Sequence, residues 1–206
     1  MTDRTRTLVV VGQGYVGLPL AHAAGSGGFR VYGFESNEEV AQSLNAGRSH
    51  VDDIADADIS RMLSHGYRAT TDASVISQAD VVVICVPTPL ADDSSPDMSA
   101  VISATETTAK HLQPGTLVVL ESTTYPGTTE ELVLPILETS GLTHGADFHL
   151  AFSPERVDPG NLQYGIINTP KLVGGVTPAA TDVAAAFYGQ FVDTVVPLSG
   201  SREAET

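Results

Sequence analysis

The N-terminal stretch "TLVVVGQGYVG" (7–17) does most to limit what this chain can fold into. Residues 7–12 read as a strand that runs directly into glycines at 12, 14 and 17, and a helix follows. In such a turn one glycine permits the tight bend, one lets backbone approach a pyrophosphate, and one lets the helix pack closely on the strand. The helix then aims its N-terminal N–H groups and positive dipole end at that pyrophosphate. A bare G-x-G-x-x-G also marks ordinary tight strand–helix turns. Here, however, a second strand, "VYGF" (31–34), ends in Glu35, roughly 20 residues further on, as a dinucleotide fingerprint requires. A carboxylate at that point accepts both ribose hydroxyls of NAD and repels the 2′-phosphate of NADP. No Arg or Lys occurs between Arg30 and Arg48 to reverse the preference. The pattern specifies NAD binding.

The rest of the chain repeats the strand–helix alternation. "VVVICV" (81–86), "TLVVLE" (116–121), "FHLAF" (148–152) and "KLVGG" (171–175) read as strands. Several lack period-two alternation, as expected of strands buried on both faces. Ser36 with Glu39 gives a capping-box pattern for a helix that Gly47 stops. Residues 98–112 follow helical spacing until "PG" (114–115), and 178–189 form another helix. The acidic stretch 52–58 reads as a solvated turn. The fold class is α/β: a doubly wound, mainly parallel Rossmann-type sheet with helices on both faces.

Composition narrows the partners. With 25 Asp and Glu against 10 Lys and Arg, the formal charge is −15, which repels nucleic acid and anionic membrane surfaces. One cysteine, Cys85, excludes an internal disulfide, and no apolar run reaches membrane-spanning length. A cytoplasmic location is expected. The six histidines form no metal-ligand pair, so no metal is expected.

Ligands in such sheets sit outside the carboxyl ends of the strands. Three segments follow strands there: "PTP" (87–89), "STTYPGTTEE" (122–131) and "SPERVDPGN" (153–161). In the second, Thr128 and Thr129 prepare a helix start as caps, whereas Ser122 and Thr123 come early enough for a hydroxyl to face the cofactor.

Together "VVGQGYVGLPLA", "ICVPTPL", "PDMSAV", "ESTTYPGTTEE" and "AFSPERVDPGN" resemble the UDP-glucose/GDP-mannose dehydrogenase family over nearly the whole chain. "SPERVDPGN" and "PKLVGGVTP" are most similar to its UDP-N-acetylhexosamine branch. The resemblance implies oxidation of a sugar C6 alcohol to a carboxylate in two NAD-dependent steps, through a thiohemiacetal and a thioester on a cysteine. It implies that Gly12, Gly14, Tyr15, Val16 and Gly17 hold the pyrophosphate and Glu35 the adenosine ribose. Val86, Pro87, Thr88 and Ser122 would line the cofactor cleft. Thr123 would help position a catalytic water, Glu155 would activate it for thioester hydrolysis, and Arg156 would contact the UDP-sugar. An alternative for Arg156 is a surface pair with Asp158.

The chain departs from that family in one large respect. Family members continue into a long helix with a catalytic lysine and asparagine, then a region bearing the cysteine nucleophile. Residues 1–200 correspond to the NAD-binding domain, and 201–206 resemble the start of the connecting helix. Lys110 and Lys171 do not occupy the catalytic lysine's place, and Cys85 lies inside an apolar run as a small buried hydrophobe. The chain by itself is therefore expected to bind NAD without catalysis, either as part of a longer, homo-oligomeric enzyme or as a stand-alone sensor module.

Overall fold

The computed structural model describes residues 5–90, 96–156 and 165–206. In chain order the elements are β1 (Thr7–Val11), α1 (Gly17–Ser26), β2 (Arg30–Phe34), α2 (Glu38–Asn45), α3 (Asp56–Ser64), β3 (Arg68–Thr70) and β4 (Val81–Ile84). There follow α4 (Ser99–His111), β5 (Leu117–Leu120), α5 (Leu134–Glu138), β6 (His149–Phe152), β7 (Lys171–Gly175), α6 (Pro178–Tyr188), β8 (Val195–Pro197) and α7 (Ser201–Ala204). Among the described residues the eight strands form one sheet, ordered β3-β2-β1-β4-β5-β6-β7-β8. Neighbours run parallel except β6 and β7, which pair antiparallel. The chain reverses its direction of travel between β1 and β4, which opens a crevice at their carboxyl ends.

The unbroken apolar runs explain the layering. β1, β4 and β5 are buried along their full length, because helices cover both faces. Leu8 and Val10 join α1 and α6 in one core, while Val9 and Val11 join α4 and α5 in the other. Each such side chain contributes about 1.5–3 kcal/mol by leaving water.

Four details differ from the sequence expectations. The cap of α2 is Asn37, whose Oδ1 accepts from the Glu39 and Val40 N–H groups, because the Ser36 hydroxyl faces Glu35 instead. The acidic stretch is only half a turn: α3 starts at Asp56, and the Asp58 carboxylate accepts from Ala55 N–H at the positive end of the helix. Three-residue edge strands, β3 and β8, carry too little pattern to be read.

The fourth difference concerns the segment after β5. A π-helical turn, Thr129–Val133, leads into α5, and neither threonine hydroxyl caps it. Thr128 Oγ1 donates to the Tyr125 carbonyl at 2.6 Å. The cap arrives from the far end of the chain. Glu205 accepts from Gly127 N–H at 2.6 Å, from Thr129 N–H at 2.8 Å and from Thr129 Oγ1 at 2.6 Å. Arg202 adds pairs to Glu130 and Glu131, so α7 folds back on this turn.

Candidate functional site

The glycine turn is built as its spacing requires. Gly12 has φ +91°, and a Cβ there would lie 2.8 Å from the Cys85 carbonyl oxygen. A Cβ on Gly17 would lie 1.9 Å from the Gly12 oxygen, so only glycine lets α1 start against the loop. A Cβ on Gly14 would meet nothing within 4 Å. Its glycine is therefore not required by the fold, which leaves that backbone open to a ligand.

Two partners brace the turn from below. Gln13 is fully buried; its Nε2 donates to the Val10 and Gly12 carbonyls and its Oε1 accepts from Tyr67 Oη at 2.7 Å. Glu35 accepts from Gln13 N–H and Asn37 N–H, each at 3.0 Å, so the carboxylate is already oriented beside the turn. Gln13 and Tyr67 were not identifiable from the motif, because its second position tolerates many residues.

A cleft of about 650 Å³ runs along the carboxyl ends of β1, β4 and β5. Gly12, Gly14, Tyr15, Val16 and Glu35 line one end. Val86, Pro87, Thr88, Ser122, Thr123 and Glu155 are also in its lining, together with residues of α4. Gly17 lies behind the turn rather than in the cleft wall. The Ser122 hydroxyl does not reach outward as expected. It donates to the Val86 carbonyl at 2.7 Å and ties the loops after β4 and β5 together. Thr123 is exposed at the rim. Arg156 is exposed and outside the lining, and Asp158 with the rest of 157–164 lies outside the described residues.

Beneath Glu155 the structure holds a polar cluster that sequence reasoning missed. Because β7 runs against β6, its first residue stands at the carboxyl edge of the sheet. Ala151 pairs with Gly175 and Phe152 with Gly174, and the same register continued sets Glu155 opposite Lys171. Lys171 Nζ lies 3.0 Å from Glu155 Oε2 and 3.0 Å from Glu121 Oε1. Tyr188 Oη donates to Glu121 Oε1, and Cys85 Sγ stands 3.9 Å from Glu121 Oε2. The readable signals were a lysine opening an apolar strand and a glutamate closing another.

Burial sets the protonation of this cluster. Desolvation pushes the Glu121 carboxyl up, against the pull of Lys171. Desolvation acts downward on Lys171, but Glu121 and Glu155 more than reverse it and keep the ammonium charged. Burial, and next the charge of Glu121, push the Cys85 thiol and the Tyr188 phenol up. Burial followed by Glu35 does the same to Tyr67. A thiol so placed stays protonated and does not suit a nucleophile. The raised values of Cys85, Tyr67, Tyr188 and Lys171 favour the protonated form in the fold. Their stabilisation is complete below the unfolded values, about 8.5 for Cys and 10 for Tyr and Lys, and is lost as pH rises through the folded ones. The melting temperature should therefore fall steeply above about pH 9. A scan that stays flat from neutrality to about pH 11 would contradict it.

Among the described residues no group of three or more His, Cys, Asp or Glu is placed to hold a metal. Among the described residues no helix is long and apolar enough to cross a membrane. The residues present fit NAD: an open glycine backbone, an uncapped helix start and a pre-oriented carboxylate lie in line in one cleft.

Comparison with known proteins points the same way. Residues 6–192 match the UDP-glucose/GDP-mannose dehydrogenase family, NAD binding domain. The chain is 36% identical over 200 residues to UDP-N-acetyl-D-mannosamine dehydrogenase of Pyrococcus horikoshii, covering 96% of this chain and 48% of that protein. It is 33% identical over 186 residues to UDP-N-acetyl-D-glucosamine 6-dehydrogenase of Pseudomonas aeruginosa, covering 90% and 43%. The solved structure of the Pyrococcus horikoshii enzyme superposes with a TM-score of 0.90 at 35% identity, over 97% of this chain and 48% of that one. The chain thus spans about half the length of the relatives it matches.

Proposed function

Because this chain belongs to the UDP-glucose/GDP-mannose dehydrogenase family, we propose that it is the cofactor-binding half of an NAD-dependent UDP-N-acetylhexosamine 6-dehydrogenase. The observation that carries this reading is one continuous cleft with Glu35 at one end and Thr123 and Glu155 at the other. NAD, when bound, supplies the hydride acceptor. Gly12, Gly14 and the start of α1 would hold its pyrophosphate through backbone N–H groups, without a side-chain cation. Glu35 would take the adenosine ribose and exclude NADP by charge.

At the other end the chain supplies groups for water. Thr123, an exposed residue, would orient it, and Glu155 would accept its proton. Arg156 would contact the sugar nucleotide. The cysteine nucleophile and catalytic lysine would come from outside these 206 residues, since Cys85 is buried and protonated and Lys171 is committed to two carboxylates. A cytoplasmic, homo-oligomeric enzyme that makes uronates for polysaccharide is the corresponding cellular reading.

The test is calorimetric titration of the 206-residue chain with NAD and NADP, followed by addition of UDP-N-acetyl-mannosamine or -glucosamine while NADH absorbance is watched. NAD should bind, NADP far more weakly, and no NADH should appear. Glu35→Ala should weaken NAD by about tenfold to a hundredfold, the loss of a charge-assisted pair of hydrogen bonds. Steady NADH formation, or equal affinity for the two cofactors, would refute the assignment.

A further inference from the structure

Lys171 is 5% exposed, so its ammonium charge lies inside the fold. Its two partners are unequal. Glu121 is 2% exposed and held from behind by Tyr188 Oη. Glu155 stands at the cleft wall, its side chain 14% exposed. The Lys171 ammonium also sits 5.4 Å over the Tyr188 ring centroid, which fixes it from a third side. Glu155 in turn accepts on Oε2 from Lys171 at 3.0 Å and on Oε1 from the Arg156 N–H at 2.7 Å.

A buried ammonium needs a carboxylate to offset its desolvation, and Glu121 alone would supply that. The second carboxylate is what a purely structural ion pair would not require. It puts a rigid arm, rooted in α6 and β5, under the residue at the lip of the cleft. Because β7 runs antiparallel to β6, its first residue reaches Glu155.

We propose that Lys171 is a positioning residue for Glu155: it holds that carboxylate in place at the wall of the cleft, with Glu121 and Tyr188 as the fixed base of the arm. The inference rests on the reading of Glu155 as the base that activates water. Without the Lys171 ammonium, Glu155 faces the buried Glu121 carboxylate with no cation between them and loses one donor. It then takes up a proton at higher pH and is less firmly held on its Oε2 side. An arginine at 171 keeps the charge and offers a fork to both carboxylates, so it should restore much of the effect.

The test uses the 206-residue chain with ¹³C-labelled glutamate side chains, with Glu155 identified by the signal lost in Glu155→Gln. The groups are coupled, so the observed midpoint belongs to the cluster and is compared between variants. Lys171→Met should raise the Glu155 midpoint by about one pH unit or more, and Lys171→Arg should bring it most of the way back. Should Lys171→Met fail to fold, Lys171→Gln keeps a donor without the charge and should show the same direction of shift. A Glu155 midpoint that stays at the wild-type value in the neutral variants overturns the proposal, as does an arginine that restores nothing. NAD titration of the same wild-type sample separates the two levels. Failure to bind NAD removes the functional reading, whereas an unmoved Glu155 in a chain that binds NAD removes only the role of Lys171.

Discussion

Lys171→Met should lower the unfolding free energy by about 3–5 kcal/mol, a large share of the ~5–15 kcal/mol that a domain has. The loss comes chiefly from what remains behind. Among the described residues Glu121 would be buried with no cation, left with Tyr188 Oη and the weak Cys85 thiol as side-chain donors. Two pH signatures follow. The Lys171 ammonium has a raised pKa in the fold, so its contribution is complete at neutrality and is lost as pH rises beyond about 10.4. The penalty of the variant should shrink at strongly alkaline pH. Orphaned Glu121 is a carboxyl pushed up by burial, so the variant should also recover stability as pH falls toward about 4, where the proton removes the buried charge. Adding Glu121→Gln to Lys171→Met should cost less than the two single losses summed, because each change removes the same contact. Urea unfolding curves at three pH values check all of this. A penalty below about 1 kcal/mol at neutrality would mean that the ion cluster is not a structural element of the fold.

The second large effect separates fold from ligand within one turn. Gly17→Ala places a methyl 1.9 Å from the Gly12 carbonyl oxygen, and both groups are backbone or rooted on it. Helix α1 must then move off the loop, at about 1–3 kcal/mol in stability, and the N–H groups that face the pyrophosphate move with it. NAD affinity should drop by about a hundredfold or more. Gly14→Ala adds the same methyl where nothing lies within 4 Å. It should melt within a degree or two of wild type and still lose NAD affinity, because the methyl fills space left for the ligand. If Gly14→Ala binds NAD normally, the cofactor does not approach the turn at that point.

How far the sequence carried these conclusions depended on the range of the interactions involved. The glycine turn, Glu35 and strands β1, β4 and β5 were legible because each is set by neighbours a few residues away or by burial on both faces. Thr123 and Glu155 were read at the carboxyl edge of the sheet for the same reason: each lies within three residues of the end of an apolar run. The cluster beneath them was not legible. It depends on β7 running antiparallel, and no local pattern in "KLVGG" distinguishes that direction from parallel. Lys171, read as a strand opener, therefore reached Glu155 only once the register was known. Likewise the helix start at Thr129 was assigned to its own threonines, while the cap is Glu205, at a separation of 76 residues. Gln13 shows a milder case, since the residue between two motif glycines gives no sign that Tyr67 closes over it.

The central claim is that NAD lies along this cleft with its adenosine at Glu35 and its nicotinamide between Thr123 and Glu155. Backbone amide NMR of the ¹⁵N-labelled chain tests it most directly, titrated once with NAD and once with ADP-ribose, which lacks the nicotinamide. Residues of the glycine turn and Glu35 should shift with both ligands, and Thr123 and Glu155 should shift only with NAD. Equal shifts of Thr123 and Glu155 with ADP-ribose, or no response from the glycine turn to either ligand, would contradict the placement.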